Sequence, residues 1–239
     1  MGARLGGDIG ERFGFGAPPG SVLVRFKGSA GQSFGAYLSD GISFELVGVA
    51  NDYVGKGMNG GTIVIRPGAE VTGHPVLAGN TLLYGATGGR LFIAGRVGER
   101  FAVRNSGTVA VVEGTGEHPC EYMTAGTVVI LGEFGRNLGA GMSGGQAFVY
   151  DPHGHLDVRM NPDLVFAEPP GEVAAANLHT LLEQHLELTG SPRARKMLEN
   201  WETTLADFRR VHPRGNVALL EEEHEGSAQE AEGAAPVAG

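Results

Sequence analysis

A glycine followed at once by a short apolar run recurs along this chain at a nearly constant interval. The glycines are Gly20, Gly41, Gly61, Gly89, Gly107, Gly126 and Gly145, separated by 21, 20, 28, 18, 19 and 19 residues. The runs behind them are rich in β-branched and aromatic residues, as strands are. Short strands repeated at this interval stack in parallel, about 4.8 Å apart, when the chain winds into coils. The repeat therefore predicts an all-β solenoid, a parallel β-helix of about seven coils.

The phase of each apolar run predicts which side chains point into the coil. In six of the seven units the second and fourth residues after the glycine are apolar, and the unit after Gly41 is shifted by one residue. The inward side chains are then Val22, Val24, Ile42, Phe44, Leu46, Ile63, Ile65, Leu91, Ile93, Val109, Val111, Val128, Ile130, Ala147 and Val149. The 28-residue interval after Gly61 is too long for one coil, and it fits either a partial coil or a loop on the side of the solenoid.

The third position after the glycine is predicted to face outward, yet it is apolar in most units. It holds Val64, Phe92, Ala110, Val129 and Phe148. An apolar stripe on the outside of a solenoid requires cover. Two hypotheses stay open for that cover: the chain's own C-terminal helices, or a partner protein for which Phe92, Val129 and Phe148 form the interface.

Two glycine clusters have the spacing of a dinucleotide-binding loop, GKGMNG at residues 55–60 and GAGMSG at residues 139–144. A phosphate-binding glycine loop leads into a helix, whose N-terminal amides meet the negative charge. Here the strand-like runs TIVIRPG and QAFVYDP follow instead. The clusters therefore predict corners of the coil, where positive φ favours glycine. This structural role is assigned to Gly55, Gly57, Gly60, Gly61, Gly139, Gly141, Gly144 and Gly145.

Composition divides the chain into four segments. Residues 1–20 lead into the solenoid, 21–160 form the β-helix, 161–213 form a helical hairpin, and 214–239 are an acidic tail predicted to be disordered. Gly190, Ser191 and Pro192 have the residue types of a helix C-terminus, the next N-cap and its first helical position. We expect the two helices to cap the open end of the solenoid, where strand edges would otherwise be exposed.

Charge and cysteine usage exclude several functional classes. Six glutamates between residues 221 and 232 account for most of the net charge of −9, and no basic patch suited to nucleic acid is present. The single Cys120 excludes an intramolecular disulfide and is typical of a reducing cytoplasm. We find neither a signal peptide nor an apolar run of about 18 residues, so we predict a cytoplasmic protein without membrane contact.

No set of residues has a spacing that indicates catalysis or metal binding. His118 and Cys120 have H-x-C spacing, but a zinc site needs three or four ligands, so core or corner packing is favoured. Asn51 and Asp52 predict an Asx-type turn. Solvated positions are expected for two histidines and packing or capping roles for two more: His153 and His155, and His179 and His185.

One coil, GERFAVRNSG, is unusually polar for a solenoid. Its residues Glu99, Arg100, Arg104 and Asn105 could bind an anionic group of a partner. An ion-pair network at a corner is the favoured interpretation of the same residues.

Six separated strings, in this order, resemble the C-terminal, GXGXG-motif domain of the glutamate synthase large (α) subunit: GSAGQSFGAYL, ANDYVGKGMNGG, GNTLLYGATGG, GERFAVRNSG, HPCEYMTAGTVVILG and GRNLGAGMSGG. The string EQHLELTGSPRARKMLENW resembles the helical tail of that domain, and the likeness runs from about Gly2 to about Pro213. The resemblance implies a right-handed parallel β-helix with no catalytic, metal-binding or cofactor-binding residue of its own.

The resemblance also implies a function carried by other chains. In that family a glutaminase and a flavin-binding synthase with an iron–sulfur cluster precede this domain, and together they convert glutamine and 2-oxoglutarate into two glutamates. We expect this chain to be the last domain made as a separate polypeptide, a scaffold whose partner chains hold FMN and the iron–sulfur cluster. The sequence leaves open the electron donor, a homo-oligomer, and two other functions: scaffold of another redox or amidotransferase complex, such as the β-helix subunit of formylmethanofuran dehydrogenase, or a stand-alone ligand-binding β-helix.

Overall fold

The computed structural model describes residues 2–14, 18 and 20–214, so the segment predicted to be a disordered acidic tail lies outside the described residues except for Arg214. The helices are α1 (Gly2–Phe13), α2 (Leu156–Arg159), α3 (Glu172–Thr189), α4 (Pro192–Glu199) and α5 (Trp201–Ala206). The strands are β1 (Val22–Ser29), β2 (Ile42–Val49), β3 (Asn59–Arg66), β4 (Val76–Ala78), β5 (Gly88–Ile93), β6 (Arg96–Val97), β7 (Ser106–Val112), β8 (Ala125–Ile130), β9 (Gln146–Tyr150), β10 (Val165–Glu168) and β11 (Phe208–Pro213).

Seven strands in the described part of the chain stack in parallel, one for each unit of the repeat. Their order is β1-β2-β3-β5-β7-β8-β9. Equivalent residues of successive units lie side by side, so Phe44 pairs with Val24 of the unit before it and with Ile63 of the unit after it. Parallel neighbours form here without crossover helices because the rest of each coil returns the chain to its starting edge. The predicted all-β parallel solenoid is confirmed.

The inward side chains form one continuous apolar core along the stack. The predicted inward residues of the central coils are buried in it, among them Ile63, Leu91 and Val128. The coil after Gly107 departs from the prediction, because a register shift between Ser106 and Val109 moves its pattern by one residue. There Ala110 and Val112 point into the core, and Val111 points to the other side of the sheet.

The long interval between Gly61 and Gly89 is one full coil that carries an insertion. Residues 67–75 form a loop between β3 and β4. β4 then pairs in parallel with β6, on a second face of the solenoid. The string GNTLLYGATGG follows β4 and forms the same turn as the other coils, with positive φ at Thr81, Leu83 and Gly85. The interval is therefore a complete coil enlarged by a loop, and the partial coil is not formed.

A third face of the solenoid, here called the turn face, consists of turns in which every second residue has a positive φ. The sets in six coils are Ser33, Gly35, Tyr37; Tyr53, Gly55, Gly57; Thr81, Leu83, Gly85; Arg100, Ala102, Arg104; His118, Cys120, Tyr122; and Asn137, Gly139, Gly141. Within a turn, the backbone amides of successive positive-φ residues point alternately to the following and the preceding coil. The amides of Tyr53 and Gly57 donate to the following coil, and that of Gly55 donates to the preceding coil, each with an N–O distance of 2.9 Å.

The first two glycines of each cluster lie in these turns, whereas Gly60 and Gly61, predicted to be corner residues, lie within β3. A strand and not a helix follows each turn, so neither cluster has the helix that a phosphate loop requires. At the second glycine of each cluster, a side chain is disfavoured by the positive φ and also by a neighbouring aromatic ring. A Cβ on Gly57 would lie 2.7 Å from the ring of Tyr37, and one on Gly141 would lie 2.4 Å from the ring of Tyr122. Each glycine thus makes room for a tyrosine of the preceding coil.

Four further glycines of the clusters, Gly60, Gly61, Gly144 and Gly145, lie close to the backbone of the coil before them. A Cβ on Gly60 would lie 2.6 Å from the Asp40 nitrogen, and one on Gly144 would lie 2.0 Å from the Thr124 carbonyl oxygen. Gly61 and Gly145 have φ values of +75° and +76° and approach carbonyl oxygens of the coil before them. Close coil-to-coil contact therefore requires these positions to lack a side chain.

The C-terminal helices lie on the flank of the solenoid, which corrects the prediction that they cap its end. Gly190 ends α3 with a φ of +71°, and the Ser191 hydroxyl accepts a bond from the Ala194 amide as the N-cap of α4, as the sequence predicted. The second helix is interrupted at Asn200, and the chain beyond Ala206 is a strand where the sequence predicted helix. α3 packs against α4 and against β3, β5 and β7.

The helices cover the apolar stripe that the sequence placed on the outside of the solenoid. Phe92, Val129 and Phe148 are completely buried, and Val111 takes the place predicted for Ala110. Their neighbours from the C-terminal segment are Leu178, Leu182, Ala194, Met197 and Phe208. Phe92, Val129 and Phe148 are therefore not available to a partner. Of the two hypotheses for the cover of the stripe, the structure supports the chain's own C-terminal helices.

Strand and helix pairing close the two ends of the stack. β11 pairs antiparallel with β9, and β10 pairs antiparallel with β11, so the last parallel strand has a partner. At the other end α1 lies against the first coil, with Ile9 buried in the core. Gly2 and Gly6 allow this approach, because Cβ atoms there would lie 2.6 and 2.8 Å from carbonyl oxygens of the first turn.

We expect Gly144→Ala to lower the free energy of unfolding by about 1–3 kcal/mol, because its Cβ would overlap the Thr124 carbonyl, which cannot move without shifting a coil. Chemical denaturation followed by circular dichroism measures the change. Gly10→Ala is the control: apart from the backbone of its own helix, no atom of residues 2–14, 18 and 20–214 lies within 4 Å of the added Cβ, so the change should be neutral or stabilise helix α1 by up to about 1 kcal/mol. Equal stability of the two variants would contradict the steric explanation.

Phe148→Ala should lower the free energy of unfolding of the isolated chain by about 3–5 kcal/mol, since it leaves a cavity beneath the helices. Trp201, the single tryptophan, packs against this cluster, so its fluorescence should shift to the red in the same variant. Val173→Ala, whose side chain on α3 is 72% exposed, should change stability by less than about 0.5 kcal/mol. A fully stable Phe148 variant would show that the helices do not depend on the stripe.

Candidate functional site

The H-x-C pair in the fifth turn has no reactive role in this structure. Cys120 is completely buried, and burial raises the pKa of its thiol to about 12, so the thiol stays protonated. His118 Nδ1 lies 3.4 Å from a carboxylate oxygen of Glu121. Among the described residues no group of three or more histidine, cysteine, aspartate or glutamate side chains could hold a metal ion.

The polar coil divides into three separate arrangements. Arg100 pairs with Glu121 at 3.0 Å, as the favoured corner network predicted. Arg104 instead extends over the ring of Tyr84, with its guanidinium carbon 5.9 Å from the ring centre. Asn105 is buried, and its side-chain oxygen accepts bonds from the amides of Gly107 and Thr108.

The Asx-type turn predicted at Asn51 and Asp52 is replaced by a ladder between coils. An Asp52 carboxylate oxygen accepts a bond from the Asn80 amide at 2.8 Å, and the Asn80 side-chain oxygen accepts one from the Glu99 amide at 2.8 Å. The side chains of two successive coils thus each accept a bond from a backbone amide of the coil that follows. The sequence does not reveal this, because the partners are 28 and 19 residues apart.

A polar groove of about 770 Å³ lies on the second face of the solenoid, between the insertion loop and the segment after β9. Its walls include His74 of the insertion, Glu113 at the end of β7, Asp151 after β9 and Arg193 of α4. His153 and His155, predicted to be solvated, are exposed at its rim. The Asp151 carboxylate accepts bonds from the amides of His155 and Leu156, which fixes the start of α2.

A buried carboxylate at this groove holds the helices to the coils. Glu113 Oε1 accepts a hydrogen bond from the Ser191 hydroxyl and lies 3.5 Å from His185 Nε2. Arg193 donates to the Leu131 carbonyl at 3.1 Å and to the ring of His74. Burial acts to raise the pKa of Glu113, but the bonds from His185 and Ser191, with the charge of Arg193, lower it below its usual value.

This cluster has the residue types of a hydrolytic triad but not its arrangement. The Ser191 hydroxyl donates to the carboxylate and accepts from the Ala194 amide, so no base activates it as a nucleophile. The role of the cluster is to attach α3 and α4 to the coils. Sequence reasoning missed Glu113, although a single carboxylate at the end of the apolar run TVAVVE is a signal that a buried partner is required.

The turn face carries a column of aromatic side chains that the sequence analysis did not single out. Four of the five tyrosines of the chain lie there: Tyr37, Tyr53, Tyr84 and Tyr122. Lys56 and Arg104 lie over two of the rings, at 5.5 and 5.9 Å from their centres. Tyr37, Arg104 and Tyr122 share one phase of the repeat, the third positive-φ position of their turns, and this phase is the signal that could have located them.

Within residues 2–14, 18 and 20–214, no helix combines the length and the apolar character that crossing a bilayer requires.

Comparison with known proteins relates nearly the whole described chain to one family. The family described as GXGXG motif matches residues 1–214. The ferredoxin-dependent glutamate synthase 2 of Synechocystis sp. is 48% identical over 217 residues, which cover 89% of this chain and 14% of that protein. The ferredoxin-dependent glutamate synthase of Pyropia yezoensis is 49% identical with the same coverage, and the glutamate synthase [NADH] of Schizosaccharomyces pombe is 47% identical over 93% of this chain and 11% of its own length. The chain thus spans about one-seventh of such relatives or less.

We expect Glu113→Gln to reduce stability at pH 7 by about 1–3 kcal/mol, since a buried charge-assisted network loses the negative charge of its acceptor. The folded-state pKa of Glu113 lies below the usual 4.5, so the carboxylate stabilises the fold above that value, and this contribution is lost as pH falls through the folded-state pKa. The variant should therefore lose less stability than wild type between pH 6 and pH 3, as measured by urea denaturation. Glu117→Gln, from a half-exposed pair with Arg136, should leave the pH profile nearly unchanged.

Proposed function

The chain belongs to the GXGXG motif family, and from this premise we propose that it acts as the non-catalytic β-helix scaffold of a glutamate synthase. In this proposal a glutaminase chain and a flavin- and iron–sulfur-containing synthase chain carry the chemistry, which converts glutamine and 2-oxoglutarate into two glutamates. FMN and the iron–sulfur cluster belong to those partners. We also propose a cytoplasmic location, supported by the single, buried cysteine.

The observation that carries this proposal is the even similarity to synthases with different electron donors. Identity is 48% to a synthase named for ferredoxin and 47% to one named for NADH. A segment that selected the donor would be expected to differ between the two groups. The similarity therefore supports a role that both kinds of enzyme share.

The use of polar groups within the fold supports a scaffold role as well. The buried carboxylate of Glu113 is engaged by Ser191 and His185, and the carboxylate of Asp52 is engaged by the next coil. The groove has the size of a ligand pocket, but its buried carboxylates, Glu113 and Asp151, are occupied by contacts within the chain. These interactions stabilise a rigid body, which is what the positioning of two partner enzymes requires.

The test is reconstitution with purified glutaminase and synthase chains. With all three chains and an electron donor present, either reduced ferredoxin or NADH, one glutamine and one 2-oxoglutarate should yield two glutamates while the donor supplies two electrons. Without this chain we expect glutamine hydrolysis to become uncoupled, so that free ammonia accumulates and glutamate formation from glutamine falls at least tenfold. Glutamate formation from added ammonium is the control, because it requires the synthase chain alone.

Two results would contradict the scaffold proposal. One is equal coupling by the glutaminase and synthase chains without this chain. The other is release of ammonia from glutamine, or a flavin absorbance spectrum, by this chain alone.

A further inference from the structure

The tyrosines of the turn face stand at positions where the backbone disfavours them. Tyr37, Tyr53 and Tyr122 have φ values of +55°, +62° and +54°. Bulky residues rarely adopt this conformation, which glycine and asparagine accept far more readily. Glycine occupies the positions equivalent to Tyr37 and Tyr122 in other coils, at Gly57 and Gly141. Residues held in a disfavoured conformation by the surrounding structure cluster at functional surfaces.

The same tyrosines are displayed rather than buried. Tyr37 and Tyr122 are each 55% exposed, and Tyr53 is 37% exposed. The rings of Tyr37 and Tyr122 lie over Gly57 and Gly141 of the following coils, where a side chain would displace them. The glycine motif therefore holds aromatic rings on the surface, an arrangement that core packing does not explain.

Two cations within the column lack carboxylate partners. Among the described residues, neither Lys56 nor Arg104 has a carboxylate oxygen within 4 Å, whereas the neighbouring Arg100 pairs with Glu121. Their contacts are instead with the rings of Tyr53 and Tyr84. Tyrosine and arginine are the residue types that contribute most to binding at protein interfaces.

We propose that the turn-face column, defined as Tyr37, Tyr53, Lys56, Tyr84, Arg104 and Tyr122, is the surface on which the rest of the synthase docks. This inference rests on the proposed function and identifies the face through which the scaffold binds its partners. The occupant is a folded protein surface that packs on the rings and presents carboxylates to Lys56 and Arg104. The relatives support this occupant, because the matched segment makes up 14% of a single chain and so has the remaining 86% (100 − 14) of that chain attached to it.

The helical flank is the competing docking surface, and it fits less well. Its large apolar side chains, Phe92, Val129 and Phe148, are already covered by the chain's own helices. Exposed apolar residues on that side, such as Val173, belong to a single helix. The turn face instead spans five coils with one aromatic or cationic column.

The decisive variant is Tyr37→Asn with Tyr122→Asn, because asparagine tolerates positive φ while it removes both rings. The dissociation constants for the purified glutaminase and synthase chains are measured by biolayer interferometry, and the melting temperature of the isolated chain is measured in parallel. We expect a melting temperature within a few degrees of wild type and at least a tenfold rise in the dissociation constant for one of the two chains. Val173→Asn, which removes an exposed apolar side chain from the helical flank, is the matched control and should bind as wild type does.

A second variant tests the charge complementarity. Arg104→Gln should weaken binding and make it less dependent on salt between 50 and 500 mM sodium chloride, since an exposed ion pair is screened. Wild-type affinity that does not change over this range would overturn the carboxylate assignment.

Other outcomes overturn the proposal and are distinguishable from failure of the proposed function. If the wild-type chain binds its partners and the double variant binds equally well, the docking face is wrong while the scaffold function stands. A double variant that loses thermal stability with no loss of affinity would assign the tyrosines to folding. Binding of poly(U) RNA that the double variant abolishes would assign the column to nucleic acid. A wild-type chain that binds neither partner contradicts both proposals.

Discussion

The structure depends on the requirement that each coil satisfy the backbone groups of its neighbours. On the strand face parallel pairing fulfils this requirement, but the turn face has no strand, and its amides still need acceptors. Alternating positive φ solves the problem, because it points successive amides of Tyr53, Gly55 and Gly57 to opposite neighbours. The glycine-rich composition follows from this hydrogen-bonding geometry, since alternate residues must adopt a conformation that glycine accepts most readily.

The same geometry links the fold to its surface. Where a turn contains Gly57 or Gly141, the coil before it can place a tyrosine ring flat over the glycine. Where a turn contains Leu83, Ala102 or Cys120 at its centre, the side chain is buried in the core despite its positive φ. A motif that resembles a phosphate loop in its spacing therefore forms a platform for aromatic rings. The physical cause is the absence of a side chain at a contact between coils, and in the first cluster the amides of Gly55 and Gly57 already donate to the neighbouring coils.

The C-terminal segment shows how a solenoid becomes a rigid module. The outward stripe of Phe92, Val129 and Phe148 is as apolar as the core, and α3 and α4 shield it from water. The buried Glu113 then fixes these helices through Ser191 and His185, so that one polar contact sets the position of a large apolar interface. The protein therefore has one face closed by its own helices and another, the turn face, on which rings remain exposed. A rigid module with one covered and one open face is suited to hold larger partners.

The sequence alone determined the repeat, the parallel stacking, the boundaries of α3 and the start of α4, because these follow from local periodicity and from capping residues such as Gly190 and Ser191. It also excluded a phosphate loop, since strands follow both glycine clusters. Only the tertiary structure decided that the helices lie on the flank, that residues 208–213 close the end as a strand, and that the coil after Gly107 is shifted by one residue. Only the tertiary structure revealed the hydrogen bond between Glu113 and Ser191 and the packing of the Tyr122 ring over Gly141. Each of these contacts joins residues of different coils or elements. Periodicity specifies which residues share a face, but contact between faces depends on the register of the whole stack.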